Sequence, residues 1–150
     1  MNPVDTTDPS QTASISFEFD LPHSPAKVWR ALTDPVLLTE WLLPVVGLEL
    51  DLEPGAAFTL KTQPYPPWDG IVSCRILAIE AHRKVSYAWV VGAMDLDTVV
   101  TFTLTPTASG TRLHLLQSGF KPEQKQNFGG ARYGWKMMGG KLVDLLAKTP

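Results

Sequence analysis

Residues 131–146 read ARYGWKMMGGKLVDLL, and the spacing of the apolar residues in this stretch decides the fold. Trp135, Met138, Leu142, Leu145 and Leu146 recur at intervals that place them on one face of an α-helix. Lys136, Lys141 and Asp144 fall mostly off that stripe. Gly134, Gly139 and Gly140 are poor helix formers, each costing roughly 1 kcal/mol relative to alanine. The helix therefore either bends there or gains from a close approach to the surface it covers.

Upstream of this stretch the period changes. Segments near 46–50, 56–62, 70–80, 84–91, 97–105 and 111–118 are rich in β-branched and aromatic residues. Pro54-Gly55, Pro64 to Asp69, Ala81-His82, Gly92 to Asp95 and Pro106 to Gly110 separate them with turn chemistry. Links this short favour an antiparallel meander. Further upstream, Ile15, Phe17, Phe19 and Leu21 alternate with Ser16, Glu18 and Asp20, as in a half-buried strand. Two helix starts follow, at Ser24-Pro25 and Asp34-Pro35. In each, a capping side chain precedes a proline suited to the first turn. The first helix would carry Val28, Trp29 and Leu32 inward, and the second Leu37, Leu38, Trp41 and Leu42. Residues 1–13 are polar and proline-containing, and are expected to form a mobile tail before a single domain over 14–150. The order is strand, two short helices, six strands, long helix. This is an α+β arrangement in which a curved antiparallel sheet of about six to seven strands wraps on the last helix.

The chain has 150 residues, of which 44% are hydrophobic, enough for one real core. A net charge of −2 with scattered Lys and Arg provides no basic field for nucleic acid. Cys74 is the only cysteine, so no intrachain disulfide forms, in keeping with a reducing compartment. The N-terminus lacks the apolar stretch of a secretory signal, and no run nears the ~18 apolar residues of a membrane span. A cytoplasmic protein is expected.

Catalytic chemistry has little to work with. His23, His82 and His114 have no metal-ligand spacing, and no metal or cofactor is expected. Alternation places His114, between Leu113 and Leu115, on the outer face. Arg75 adjoins Cys74, but a lone strand cysteine reads as a small core residue. GWKMMGGK has the wrong glycine spacing for a phosphate loop, and Leu142 stands where that loop needs Ser or Thr. Glu40 and Asp69 adjoin Trp41 and Trp68. They would serve as acids or bases only if buried in a pocket. Otherwise they are a solvated helix residue and turn chemistry.

Four strings together resemble one family. They are HSPAKVWRALTDPVLLTEWLLP, WDGIVSCRILAIEAHRKVSYAW, TFTLTPTASGTRLHLLQSGF and YGWKMMGGKLVDLL, in that order over about residues 15–147. The chain resembles the START-like (SRPBCC, helix-grip) superfamily, in the branch named after the activator of the heat-shock protein 90 ATPase. One departure is Gln117, where many members carry His before Ser-Gly-Phe.

By alternation Tyr87 and Trp89 share a face, as do Phe102 and its neighbours, and Leu113, Leu115 and Gln117. These faces meet Trp135, Met138 and Leu142, and the pattern alone fits a solid core. The resemblance implies a cavity instead, with Trp41, Phe58 and Trp68 completing its lining. An apolar or amphipathic ligand, lipid-like or aromatic, is then expected, held without catalysis. The entrance would lie between the last helix and the loops of Trp68 and Gly92 to Asp95. The branch name implies a second role, as a chaperone partner acting by its surface in a stress response. The superfamily also contains cyclase- and hydrolase-type enzymes, a third reading that needs an acid–base pair in the cavity. A monomer or homodimer is expected.

Overall fold

The computed structural model describes residues 3–10, 12–48, 50–66 and 68–150. Parts of the expected tail (1, 2 and 11), of the expected strand over 46–50 (49) and of the expected turn over 64–69 (67) lie outside the described residues. The elements are β1 (Val4–Asp5), β2 (Ser14–Leu21), α1 (Pro25–Thr33), α2 (Pro35–Trp41), β3 (Ala57–Lys61), β4 (Ile71–Glu80), β5 (Lys84–Val91), β6 (Leu96–Thr107), β7 (Gly110–Ser118) and α3 (Lys125–Lys148). Among the described residues the strands form one antiparallel sheet in the order β1-β2-β7-β6-β5-β4-β3. From β3 to β7 it is the expected meander. The two short helices carry the chain from β2, paired on one flank of β7, across to the far edge.

The caps form as the sequence predicts. Ser24 Oγ accepts from the Lys27 amide, and Asp34 Oδ1 accepts from the Val36 amide. One face of the sheet is mostly apolar: Phe17 and Phe19 on β2, Ile76 on β4, Val100 and Phe102 on β6, and Leu113 and Leu115 on β7 are all buried, with Thr98 and Gln117 as buried polar exceptions. The opposite face is polar. There Ser86 and Thr101 share a hydrogen bond, Ser16 Oγ pairs with His114 Nε2 at 2.9 Å, and Arg112 meets Asp20. His114 thus lies on the outer face that alternation assigns it. A β-bulge between Ile76 and Ala78 on β4 adds to the curl of the apolar face around α3.

Three segments differ from the sequence expectation. Val46–Leu48 is a 3₁₀ turn where a strand over 46–50 is expected, because Gly47 at φ 80° breaks the extended backbone. The last helix begins at Lys125, six residues before the periodic stretch. Phe128 is buried there, edge-on to Phe120 with ring centroids 5.3 Å apart. Inside the segment expected as a tail, β1 pairs with β2, and the Thr7 hydroxyl bonds the backbone of Ser16. Asp5 meets Arg132 of α3 at 2.6 Å. Partial burial pushes the Asp5 carboxyl up, but the Arg132 guanidinium and the Thr7 amide outweigh it and hold it below the usual carboxylate range.

Candidate functional site

Gln117 lies near the end of β7, opposite Val100 of β6, and is 1% exposed. A buried amide must spend its donors and acceptors on protein groups, and here the partners are fixed. Trp135 of α3 donates its indole N–H to Gln117 Oε1 at 2.7 Å. Gln117 Nε2 donates to Thr98 Oγ1 at 2.9 Å, and the Thr98 hydroxyl donates to the Trp89 carbonyl at 2.8 Å. An indole N–H only donates, so the amide oxygen has to face Trp135 and the nitrogen Thr98. This relay ties the helix to β5, β6 and β7.

Above the relay the helix and sheet do not close on each other. A cavity of about 690 Å³ lies between them. Its sheet side is made by Val72, Trp89, Val91, Leu96 and Gln117. Its helix side is made by Gly130, Ala131, Gly134, Trp135 and Met138. Three small residues on one face of α3 leave the space, and Trp135, whose ring centroid is 5.4 Å from that of Trp89, forms its inner wall. Leu43, Tyr65, Trp68 and Met94 reach in from the loops, and Gln126 and Asn127 from the first turn of α3.

The loop bearing Trp68 is fixed by its own backbone. Tyr65 and Trp68 exchange both amide hydrogen bonds, and the Trp68 indole N–H donates to the Ile71 carbonyl. Gly70, at φ 80°, packs so closely on the Thr62 carbonyl that a Cβ would collide with it. Tyr65 is 78% exposed, so this side of the cavity meets solvent.

Of the residues singled out from sequence, Trp68, Trp89, Gln117, Trp135 and Met138 come together on the cavity wall. The other seven are not on this wall: Trp41, Tyr87, Phe102, Leu113, Leu115 and Leu142 are buried in solid core, and Phe58, also buried, edges a separate cleft of about 300 Å³ beside Gly47 and Asp51. The cause is the pair of short helices: α1 packs on β6 and β7, and α2 packs on α3 and sends Trp41 onto the same sheet face. Trp41 stands edge-on to Phe102 with centroids 6.1 Å apart, and its indole N–H is held by the Ala31 carbonyl. Tyr87 packs against Phe58 and Phe102. Burial, with the Cys74 thiol alongside, holds its phenol well above the ordinary range. Burial likewise pushes the Cys74 thiol up to about 12.

Thr98, Val72, Val91 and Leu96 were not singled out, although strand parity carries their signal: each is two or four residues from an inward neighbour. Gly134 appears in sequence only as a poor helix former, and Gly130 and Ala131 carry no side chain large enough to mark a face. Met94 and Tyr65 sit in loops, where no periodicity points to them.

Among the described residues that line the cavity there is no carboxylate, imidazole, amine, guanidinium or thiol. Glu40 and Asp69 are exposed, and Asp69 Oδ1 accepts from the Ile71 amide as a turn residue. No cluster of His, Cys, Asp and Glu suited to a metal occurs among the described residues. No described helix is long and apolar enough to cross a membrane.

Solved structures share this architecture. Protein MLL2253 from Mesorhizobium loti is 40% identical, with a TM-score of 0.83 over 91% of this chain and 98% of that one. CalU16 from Micromonospora echinospora is 25% identical, with a TM-score of 0.73 over 97% of this chain and 83% of that one. DynU16, of the dynemicin biosynthetic locus, is 20% identical, with a TM-score of 0.75 over 90% of this chain and 47% of that one, a likeness of fold alone. No curated protein matches the chain. The family model described as Activator of Hsp90 ATPase homolog 1-like protein matches residues 22–147. The curved seven-stranded sheet gripping one long helix is the START-like, SRPBCC architecture, and the chain belongs to the Activator of Hsp90 ATPase homolog 1-like family.

Proposed function

We propose that this protein binds an apolar small molecule, aromatic or lipid-like, between β5–β7 and α3, and holds it without converting it. The observation that carries this reading is the cavity of about 690 Å³ walled by three indoles, Met138 and aliphatic side chains. Mostly apolar walls with a few placed polar groups are the usual make-up of a small-molecule site, and this volume falls in the usual range of about 300–1,000 Å³. The one proton-transfer group on the wall is the phenol of Tyr65, at the solvent-facing side, and the Gln117 amide deeper in does not titrate, which supports holding over catalysis. This reading calls for no cofactor, and it accords with a cytoplasmic carrier or sensor.

The test is a titration with N-phenyl-1-naphthylamine, an uncharged dye whose emission rises in apolar surroundings. The wild type is expected to bind saturably. Gly134→Leu fills the cavity from the helix side. A Cβ there has only Met138 Cε within 4 Å, at 3.9 Å, so the fold is expected to tolerate the change. The variant should lose at least about tenfold in affinity with a melting temperature no lower than the wild type's. Equal binding by both proteins places the dye elsewhere and removes the support for this site.

The family description favours a second reading, a regulator of a chaperone ATPase that works by its surface. Stimulation of a cognate ATPase by Gly134→Leu as strongly as by the wild type would favour it over the cavity reading.

A further inference from the structure

Resting on the ligand-binding reading, we infer that the cavity selects an uncharged, flat aromatic ligand carrying a carbonyl-type acceptor, and that the second N–H of Gln117 reads that acceptor. Three observations lead there.

The first is charge. The cavity wall has no ionisable group except the phenol of Tyr65 at its solvent-facing side. A buried carboxylate or ammonium without a partner is strongly disfavoured. Fatty acids, bile-acid-like anions and amines therefore fit the interior poorly.

The second is shape and surface. Trp68, Trp89 and Trp135 enter from a loop, a strand and the helix, and two of them are pinned by hydrogen bonds from their own ring nitrogens. Indole faces held in place favour offset or edge contacts with another ring. Such walls suit a planar ring system better than a flexible chain, which loses more freedom on binding.

The third is the valence of Gln117. Its carboxamide has two N–H donors and two oxygen lone pairs. One N–H is committed to Thr98, and one lone pair to Trp135. The relay excludes the flipped amide, so one N–H and one lone pair are left over by it, on a side chain that lines the cavity. Of the two, a buried N–H has the greater need of a partner, whereas carbonyl oxygens are more often left with one lone pair unused. The unmet demand is for an acceptor, which a ketone, quinone or ester oxygen supplies.

Three ligands of one ring size test this on the full chain by calorimetric titration: 2-acetylnaphthalene, 2-isopropylnaphthalene and 2-naphthoate. In the wild type, 2-naphthoate is expected to bind at least about tenfold more weakly than 2-acetylnaphthalene. In Gln117→Met, the preference for the acetyl over the isopropyl compound should fall by about fivefold, the worth of one net hydrogen bond. A readout that needs no variant is the ¹⁵N–¹H correlation of the Gln117 side-chain amide in the wild type. The acetyl ligand should shift one of its two protons downfield, and the isopropyl ligand should not. If none of the three ligands binds, the ligand-binding reading itself falls. If they bind but 2-naphthoate binds equally well, or Gln117 responds alike to the acetyl and isopropyl compounds, the cavity stands and this selectivity is overturned.

Discussion

Cys74 and Gln117 show how one sheet face treats two polar side chains differently. Cys74 sits mid-strand between Phe58 on β3 and Trp89 on β5. Nothing there stabilises a thiolate, so burial pushes its pKa up to about 12, and the neighbouring Arg75 does not prevent this: its guanidinium turns to the Gly55 carbonyl. The thiolate is the reactive form, so at pH 8 the folded protein should not react with 5,5′-dithiobis(2-nitrobenzoate), and one thiol per chain should react in urea. The folded pKa is raised, so this group leaves stability unchanged below about pH 8.5, the ordinary thiol value, and erodes it as pH climbs toward 12. Rapid labelling of the native protein at pH 8 would contradict the burial. Gln117 is as deeply buried, yet each end of its amide has a partner, and removing those partners would leave polar atoms costing about 1–3 kcal/mol each. Among the residues of the candidate site, Gln117 was legible as an inward polar group because its parity matches that of Leu113 and Leu115. Its partner Thr98 shares an inward parity too, but a threonine on a strand is ordinary enough to pass unnoticed.

At the scale of elements, α3 carries five glycines in its first sixteen residues, and they do different things. Gly139 is buried where the helix crosses β2: a Cβ there would stand 3.0 Å from the Phe19 ring and 3.2 Å from Pro3. This is the close approach that the sequence offered as one of two explanations. Gly140, next along, has nothing within 4 Å of its Cβ position. The pair makes an internal control. Gly140→Ala should stabilise by about 0.5–1 kcal/mol through helix propensity alone. Gly139→Ala gains the same propensity but pushes on a buried ring at a cost of about 1–3 kcal/mol, and should destabilise by up to about 2 kcal/mol net. Urea unfolding of both variants checks this, and a Gly139→Ala at least as stable as the wild type would contradict the packing. The strand ends were legible nearly to the residue, since parity and turn chemistry agree along β4 to β7. The start of α3 was not. Gly129 and Gly130 hide it, and only the Phe120–Phe128 contact, a tertiary feature, shows why the helix reaches back to Lys125.

Across the whole molecule, the sequence reveals which side of the sheet is inside but not where the inside is empty. Trp89, Gln117, Tyr87, Phe102, Leu113 and Leu115 all point the same way. The first two line the cavity and the rest are sealed in core, because α1 and Trp41 of α2 cover one end of the face while small residues of α3 span the other. Parity cannot distinguish depth along a strand; that depends on which helix lies overhead. Family resemblance supplied the expectation of a cavity, and the position of α3 over β5 to β7 gives it bounds. A binding role requires that this space accept a ligand. The most direct measurement is the bromine anomalous signal from crystals of the full chain soaked with 2-bromonaphthalene. A single strong peak enclosed by Trp68, Trp89 and Trp135 is the predicted result. Bromine found only on the outer surface, with the cavity closed by rearranged side chains, would contradict it.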